Sequence, residues 1–184
     1  GAPAIGHHCI EHLENMKEPD IARLAKAGVV ASVQPPHITL DPGGPERDLG
    51  DDRCKVMWPF ASFLREGVTL AFGTDSPVVD VNPWPGIYTA ATRQDAKTHE
   101  PKGGWLASER ISAADAIRAY TAGAAAAAGR ENEMGKLAAG MWADIAAFDR
   151  NPLADAEQRP ELMLETRTIA TFLAGRPVFD SRKA

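Results

Sequence analysis

The stretch on which the fold turns is Val68-Thr69-Leu70-Ala71-Phe72-Gly73-Thr74-Asp75-Ser76-Pro77. Gly67 ends a helical pattern running from Pro59 to Glu66, and the apolar run Val68 to Phe72 follows at once. A strand apolar on both faces belongs to a sheet covered on both sides, which parallel sheets flanked by helices provide. In such sheets the loops after the strands converge on one face, where catalytic groups gather. Asp75 stands at that position, fixed between Gly73 and Pro77. It is a candidate metal ligand or general base. An aspartate there also caps turns routinely, and the residues alone leave both readings open.

Working back towards the N-terminus, Ile21, Leu24, Ala25 and Ala27 repeat at helical spacing behind Pro19 and Asp20, with Gly28 as a stop. Val29 to Val33 reads as a β-branched strand closed by Pro35-Pro36, which places His37 just past its end. His12 similarly closes the segment Gly6 to Ile10, inside the cluster His7-His8-Cys9-Ile10-Glu11-His12. The polar, Gly- and Pro-rich stretch Asp41 to Asp52 reads as a long surface loop.

Working forward, a helix is predicted over Ile87 to Arg93. Ser112-Ala113-Ala114-Asp115 is a capping box that opens an Ala-rich helix ending near Gly129. The character then changes. Ala143 to Phe148 reads as a strand, and Thr166 to Leu173 with Val178-Phe179 reads as a hairpin around Ala174-Gly175. Residues 1–130 are therefore expected to form a β/α body and residues 131–184 a small β unit.

The 184 residues carry 20 Lys and Arg against 25 Asp and Glu, a formal charge of −5. An acidic chain without basic clusters is a poor match for a phosphate backbone, so nucleic acid is not an expected partner. No apolar run reaches the ~18 residues needed to span a bilayer, and a membrane partner is not expected either. Cys9 and Cys54 allow at most one disulfide; free thiols in a reducing compartment, the cytoplasm, are the expectation.

Several polar residues carry two readings. Neutral imidazole suits zinc, and Glu11 beside His12 could orient that ring from behind. His99, among Lys97, Glu100 and Lys102, reads as solvated. Arg53, Arg93, Glu109 and Arg110 read first as ion-pair residues and second as a binding set for a substrate carboxylate. The His and Cys spacing does not match a structural zinc site.

Taken in order, Ile10-Glu11-His12, Ala31-Ser32-Val33-Gln34-Pro35, Leu70 to Val78, Arg110-Ile111-Ser112 with Tyr120-Thr121, and Gly135-Lys136-Leu137-Ala138-Ala139-Gly140-Met141-Trp142-Ala143-Asp144 form a series. The series resembles the carboxyl-terminal third of the amidohydrolase superfamily, in its amidohydrolase family 3 branch, over essentially the whole chain. The resemblance implies an α/β fold: about the last three units of a (β/α)8 metal-dependent hydrolase barrel plus strands of a small β-sandwich. It implies that His12 and Asp75 bind a divalent metal, zinc in particular, and that Asp75 is also the catalytic base. His37, Glu11 and Arg93 are then substrate-side residues or residues behind the ligands.

The implied reaction is hydrolysis of a non-peptide C–N bond in a small molecule, by water whose pKa a bound Zn²⁺ lowers to ~7. The family's His-x-His after the first strand, and its ligands after strands four and five, have no counterpart here, and Gly6 to Cys9 departs from the usual pattern. Two protein ligands make a poor zinc site, which usually has three plus water. The chain alone is therefore expected to be an inactive piece of a longer or processed protein. It is expected to pair with the missing barrel segment or, as a non-catalytic module, to self-associate.

Overall fold

A computed structural model describes residues 8–183. Gly6 and His7 of the segment Gly6 to Ile10 lie outside the described residues. Three parallel strands, β1 (Cys9–Glu11), β2 (Val30–Val33) and β3 (Leu70–Phe72), form one sheet in the order β1-β2-β3. The register sets Glu11 opposite Ser32 and Ser32 opposite Ala71, so these three share a cross-strand row on one face. The alternate row, Ala31, Val33, Leu70 and Phe72, is buried under helices.

Helix α1 (Glu18–Ala27) connects β1 to β2, and Gly28 ends it in the left-handed region with φ 66°. The stretch 41–52 is not a structureless loop. Pro45 in the first turn starts helix α2 (Gly44–Leu49), and Gly50 separates it from the single turn α3 (Asp51–Cys54). Helix α4 (Phe60–Arg65) then leads into β3.

After β3, helix α5 spans Pro83–Thr92, starting earlier than the spacing predicts. Its prolines fall in the first turn, where no N–H is needed, and the Asn82 side chain accepts from the Trp84 N–H. Arg93 is left outside the helix as its left-handed cap. The Ser112 hydroxyl accepts from the Asp115 N–H at 3.0 Å, opening α6 (Ala113–Arg118). This helix passes through a π-helical turn at Ala119–Gly123 into α7 (Ala124–Ala127). A Cβ at Gly123 would collide with the Leu70 carbonyl oxygen, so the π-helical turn sits directly on β3.

The second sheet is antiparallel, β4 (Ile145–Phe148), β5 (Thr168–Leu173) and β6 (Arg176–Asp180), close to the predicted strands. Between β4 and β5 lie α8 (Pro152–Gln158) and a 3-10 helix, Pro160–Glu165, that the sequence reading left unassigned. Met163 of that helix is wholly buried in the same core as Phe60, Phe63 and Tyr88. Phe148 meets Trp84 of α5 edge to face, with ring centroids 5.0 Å apart. Among the described residues no helix is long and apolar enough to cross a membrane.

Candidate metal centre

The loops leaving β1, β2 and β3 converge on one end of the parallel sheet. The His12 N–H donates to the Ser32 carbonyl at 2.8 Å, continuing the ladder by one bond. The chain then turns sharply: His12 and Leu13 both have positive φ, 68° and 47°. Such non-glycine conformations are costly and persist where the surroundings impose them. Here the following residues are tied to the segment before α4: Asn15 bridges Met57, and the Trp58 N–H donates to the Glu14 carbonyl. Asp75, after β3, also has positive φ, 55°, and its carbonyl accepts from the Val78 N–H.

These turns bring four groups together. His12 Nε2 is 3.8 Å from Asp75 Oδ2, and His12 Nδ1 is 3.9 Å from Glu14 Oε1. His37, carried on the 3-10 turn Pro35–Thr39 after β2, places Nδ1 3.7 Å from the same Glu14 oxygen. The His12 and His37 rings stack with centroids 5.8 Å apart. The His37 side chain is only 8% exposed, and its Nε2 is buried with no hydrogen-bond partner among the described residues. His12 and Asp75 are about half exposed, so the cluster is closed behind and open in front.

The donor set fits a divalent cation. Ligands held at ~2.0–2.2 Å from a tetrahedral zinc stand roughly 3.3–3.5 Å from one another. The observed separations exceed that by a few tenths of an ångström, while a direct N–H···O bond would close to ~2.8 Å. Glu11 does not face the cation position as a ligand. Its Oε2 accepts from the Ser32 hydroxyl at 2.8 Å and the Gln34 amide at 3.2 Å, fixing the row below His12.

Other candidates go elsewhere. Arg93 does not join the cluster, contrary to the expectation of a substrate-side guanidinium. It is 0% exposed and donates to the carbonyls of Trp105, Trp58 and Met57. Its guanidinium also lies over the Phe60 and Trp105 rings, at 5.4 and 5.5 Å. Burial pulls its pKa down to about 10, with the Glu109 charge opposing. Glu109 is buried and accepts from both the N–H and the hydroxyl of Ser62. Arg110 donates to the carbonyls of Thr92 and Gly103, and Arg53 is exposed. His99 is half-buried rather than solvated, its Nδ1 2.8 Å from the Tyr88 hydroxyl. The stretches 41–46 and 93–105 enclose a cavity of about 590 Å³ lined by Ile38, Pro45, Glu46 and Trp105 among others.

Glu14 is the residue that sequence reasoning missed. Its signal was slight: a carboxylate two positions past a strand-end histidine, in a segment with no clear periodicity.

Comparison with known proteins bears on this geometry. A family model described as the amidohydrolase family matches residues 2–179. Protein LONG AFTER FAR-RED 3 of Arabidopsis thaliana is 33% identical over 92% of this chain and 28% of its own length. The N-substituted formamide deformylase of Arthrobacter pascens is 32% identical over 65% of this chain and 21% of its own. An uncharacterized metal-dependent hydrolase from Pyrococcus horikoshii superposes with a TM-score of 0.70 at 29% identity, over 82% of this chain and 30% of that one. The chain thus spans less than a third of the length of these relatives. With a family match along nearly its whole length, the chain belongs to the amidohydrolase family.

Proposed function

We propose that this chain is the carboxyl-terminal part of a metal-dependent amidohydrolase that hydrolyses a non-peptide C–N bond in a small molecule. The observation that carries the reading is the approach of His12 Nε2 and Asp75 Oδ2 to 3.8 Å at the ends of β1 and β3. The three parallel strands stand as the last units of a (β/α)8 barrel, with residues 131–184 contributing strands of a β-sandwich. The cytoplasm is the proposed setting.

His12 and Asp75 would hold the divalent cation, zinc by its preference for imidazole and carboxylate. When bound, that ion would supply Lewis acidity and lower the pKa of a water. Asp75 accepts a proton from the attacking water and delivers it to the leaving nitrogen. Glu11, bonded to Ser32 and Gln34, stiffens the strand end that carries His12. His37, buried against Glu14, would stand behind the ligands or at the inner end of the substrate space.

The remaining ligands would come from the rest of the barrel. In support, β1 and β3 each have an unpaired edge among the described residues, and Ile10 is 44% exposed. The same edges support a second reading, a non-catalytic module that closes its open edges by self-association. Supplying the missing strands, in one chain or as a separate segment, tests both. Zinc-dependent cleavage of N-substituted formamides or other non-peptide amides, lost in Asp75→Asn, is the expected result. A completed barrel that cleaves no C–N bond, or one indifferent to Asp75→Asn, overturns the hydrolase reading.

A further inference from the structure

We propose that His12, Glu14 and His37 form a cation seat of their own, built entirely from this chain and distinct from the position His12 shares with Asp75. The seat's donor atoms are His12 Nδ1, His37 Nδ1 and Glu14 Oε1. The three residues offer ligand atoms within 4.8 Å of one another. The Glu14 oxygen faces both ring nitrogens, at 3.9 and 3.7 Å. None of these approaches is a hydrogen bond, yet a carboxylate free to bond an imidazole N–H closes to ~2.8 Å. The stand-off is wider than a hydrogen bond and within a few tenths of an ångström of the separation that ligands of a small ion keep. Two imidazoles and one carboxylate are also a donor set that binds zinc while leaving a fourth position to water.

The surroundings match. His37 forms the closed back of the seat at 8% exposure, while His12 and Glu14, at 49% and 32%, leave its front open to solvent. The Glu14 carbonyl is anchored by the Trp58 N–H, so the carboxylate hangs from a fixed turn.

A neutral imidazole has one lone pair. A cation on His12 Nδ1 therefore leaves Nε2 carrying the proton, facing Asp75 Oδ2 at 3.8 Å. The two positions exclude each other through the tautomer of one ring. The seat shares His12 with the hydrolase reading but does not depend on Asp75 or on the rest of the barrel.

The test uses the metal-free 184-residue chain titrated with Zn²⁺ against a chromophoric chelator, with ring-nitrogen NMR of the histidines. One zinc per chain is expected, with Glu14→Gln and His37→Gln each weakening binding about tenfold or more and Asp75→Asn changing it by less than about threefold. Affinity alone does not separate a ligand from an orienting carboxylate, whose loss also costs roughly 10–100-fold. The NMR does: Nδ1 of His12 and His37 should shift on zinc addition while both Nε2 atoms keep their protons. If His37→Gln fails to fold, Glu14→Gln and the unaltered chain still decide the matter. Zinc bound through Nε2, binding lost in Asp75→Asn but kept in Glu14→Gln, or no binding tighter than about 100 µM overturns the proposal. Zinc bound through His12 Nε2 and lost in Asp75→Asn would favour the position that the hydrolase reading uses; that reading itself stands or falls on turnover by the completed barrel.

Discussion

His12 and Asp75 come from strands that are not neighbours, yet their side chains approach to 3.8 Å. β2 runs between β1 and β3, and two strand spacings amount to about 9–10 Å. Both residues adopt positive φ, 68° and 55°, where the chain turns after each strand. The one pair on which the hydrolase reading rests thus sits on two backbones held in a less common conformation.

Asp75→Asn separates that role from stability. The side chain is 45% exposed and makes no hydrogen bond that the fold needs among the described residues. Asparagine tolerates the left-handed conformation as well as aspartate does. In the completed barrel the substitution should lower kcat/KM by about a thousandfold or more. Urea unfolding of the variant chain should stay within about 0.5 kcal/mol of the parent. A large loss of stability would make Asp75 a structural residue.

Arg93 is expected to behave in the opposite way. Arg93→Met leaves the carbonyls of Met57 and Trp105 without the donor that Arg93 supplies in a buried site, while the Trp58 carbonyl keeps the Phe60 N–H. At about 1 kcal/mol or more for each orphaned acceptor, the cost should be roughly 2–4 kcal/mol. Arg93→Lys should recover less than half, because an ammonium cannot span three acceptors or lie flat over Phe60 and Trp105. Denaturant midpoints of the chain check both. Near-parental stability in Arg93→Met would return this residue to the list of substrate-facing groups.

The parallel strands, the capping box and the hairpin were legible because each has a local cause: an apolar run, a Ser-x-x-Asp, a Gly at a turn. The placement of His12 and Asp75 was legible for the same reason, since His12 directly follows β1 and Asp75 lies three residues past β3. The burial of Arg93 was not legible because an arginine in sequence gives no sign of it. Its setting depends on three carbonyls, two of them some 35 residues away. Glu14 was missed because its meaning lies in the His37 ring brought over from another strand end. The helices within 41–54 were overlooked because glycine and proline, which usually break helices, here start and stop short ones.

Gly86 and Tyr120 should show coupling. A Cβ at Gly86 would collide with the Tyr120 hydroxyl, and that hydroxyl is buried without a partner among the described residues. Burial also pushes its pKa upward. Tyr120→Phe should therefore be neutral or stabilising by up to about 1 kcal/mol. Gly86→Ala should cost about 2 kcal/mol alone and distinctly less when combined with Tyr120→Phe, a non-additivity that a double-mutant cycle measures. Strict additivity would show that the helices separate rather than share this contact.

Asp180 offers a pH test in the β unit. The Arg182 side chain, bonded to both carboxylate oxygens, together with the Arg182 N–H, holds its pKa down to about 2. A depressed carboxylate favours the folded state above its unfolded pKa of about 3.9, and that contribution is lost as pH falls from about 4 to about 2. NMR titration of the carboxyl carbon should follow this low value and return towards the ordinary aspartate range in Arg182→Ala. An ordinary midpoint in the unaltered chain would mean the pair does not persist in solution.

The two thiols should differ in reactivity, chiefly through their burial. Cys9 is exposed at the start of β1, whereas Cys54 is 3% exposed at the end of α3. Burial raises the Cys54 pKa, and the Glu46 and Asp51 charges push the same way. Attack requires the thiolate, so Cys54 is shielded both sterically and by protonation. A disulfide reagent at neutral pH should consume one thiol per chain quickly. The second should react only at the rate at which the α3 region opens, slowed further by conditions that stabilise the fold. Cys9→Ser should abolish the fast phase and leave the slow one untouched. Rapid modification of Cys54 in that variant would show that the segment joining β2 to α4 opens without global unfolding, and that the Glu14 anchor at Trp58 is loose as well.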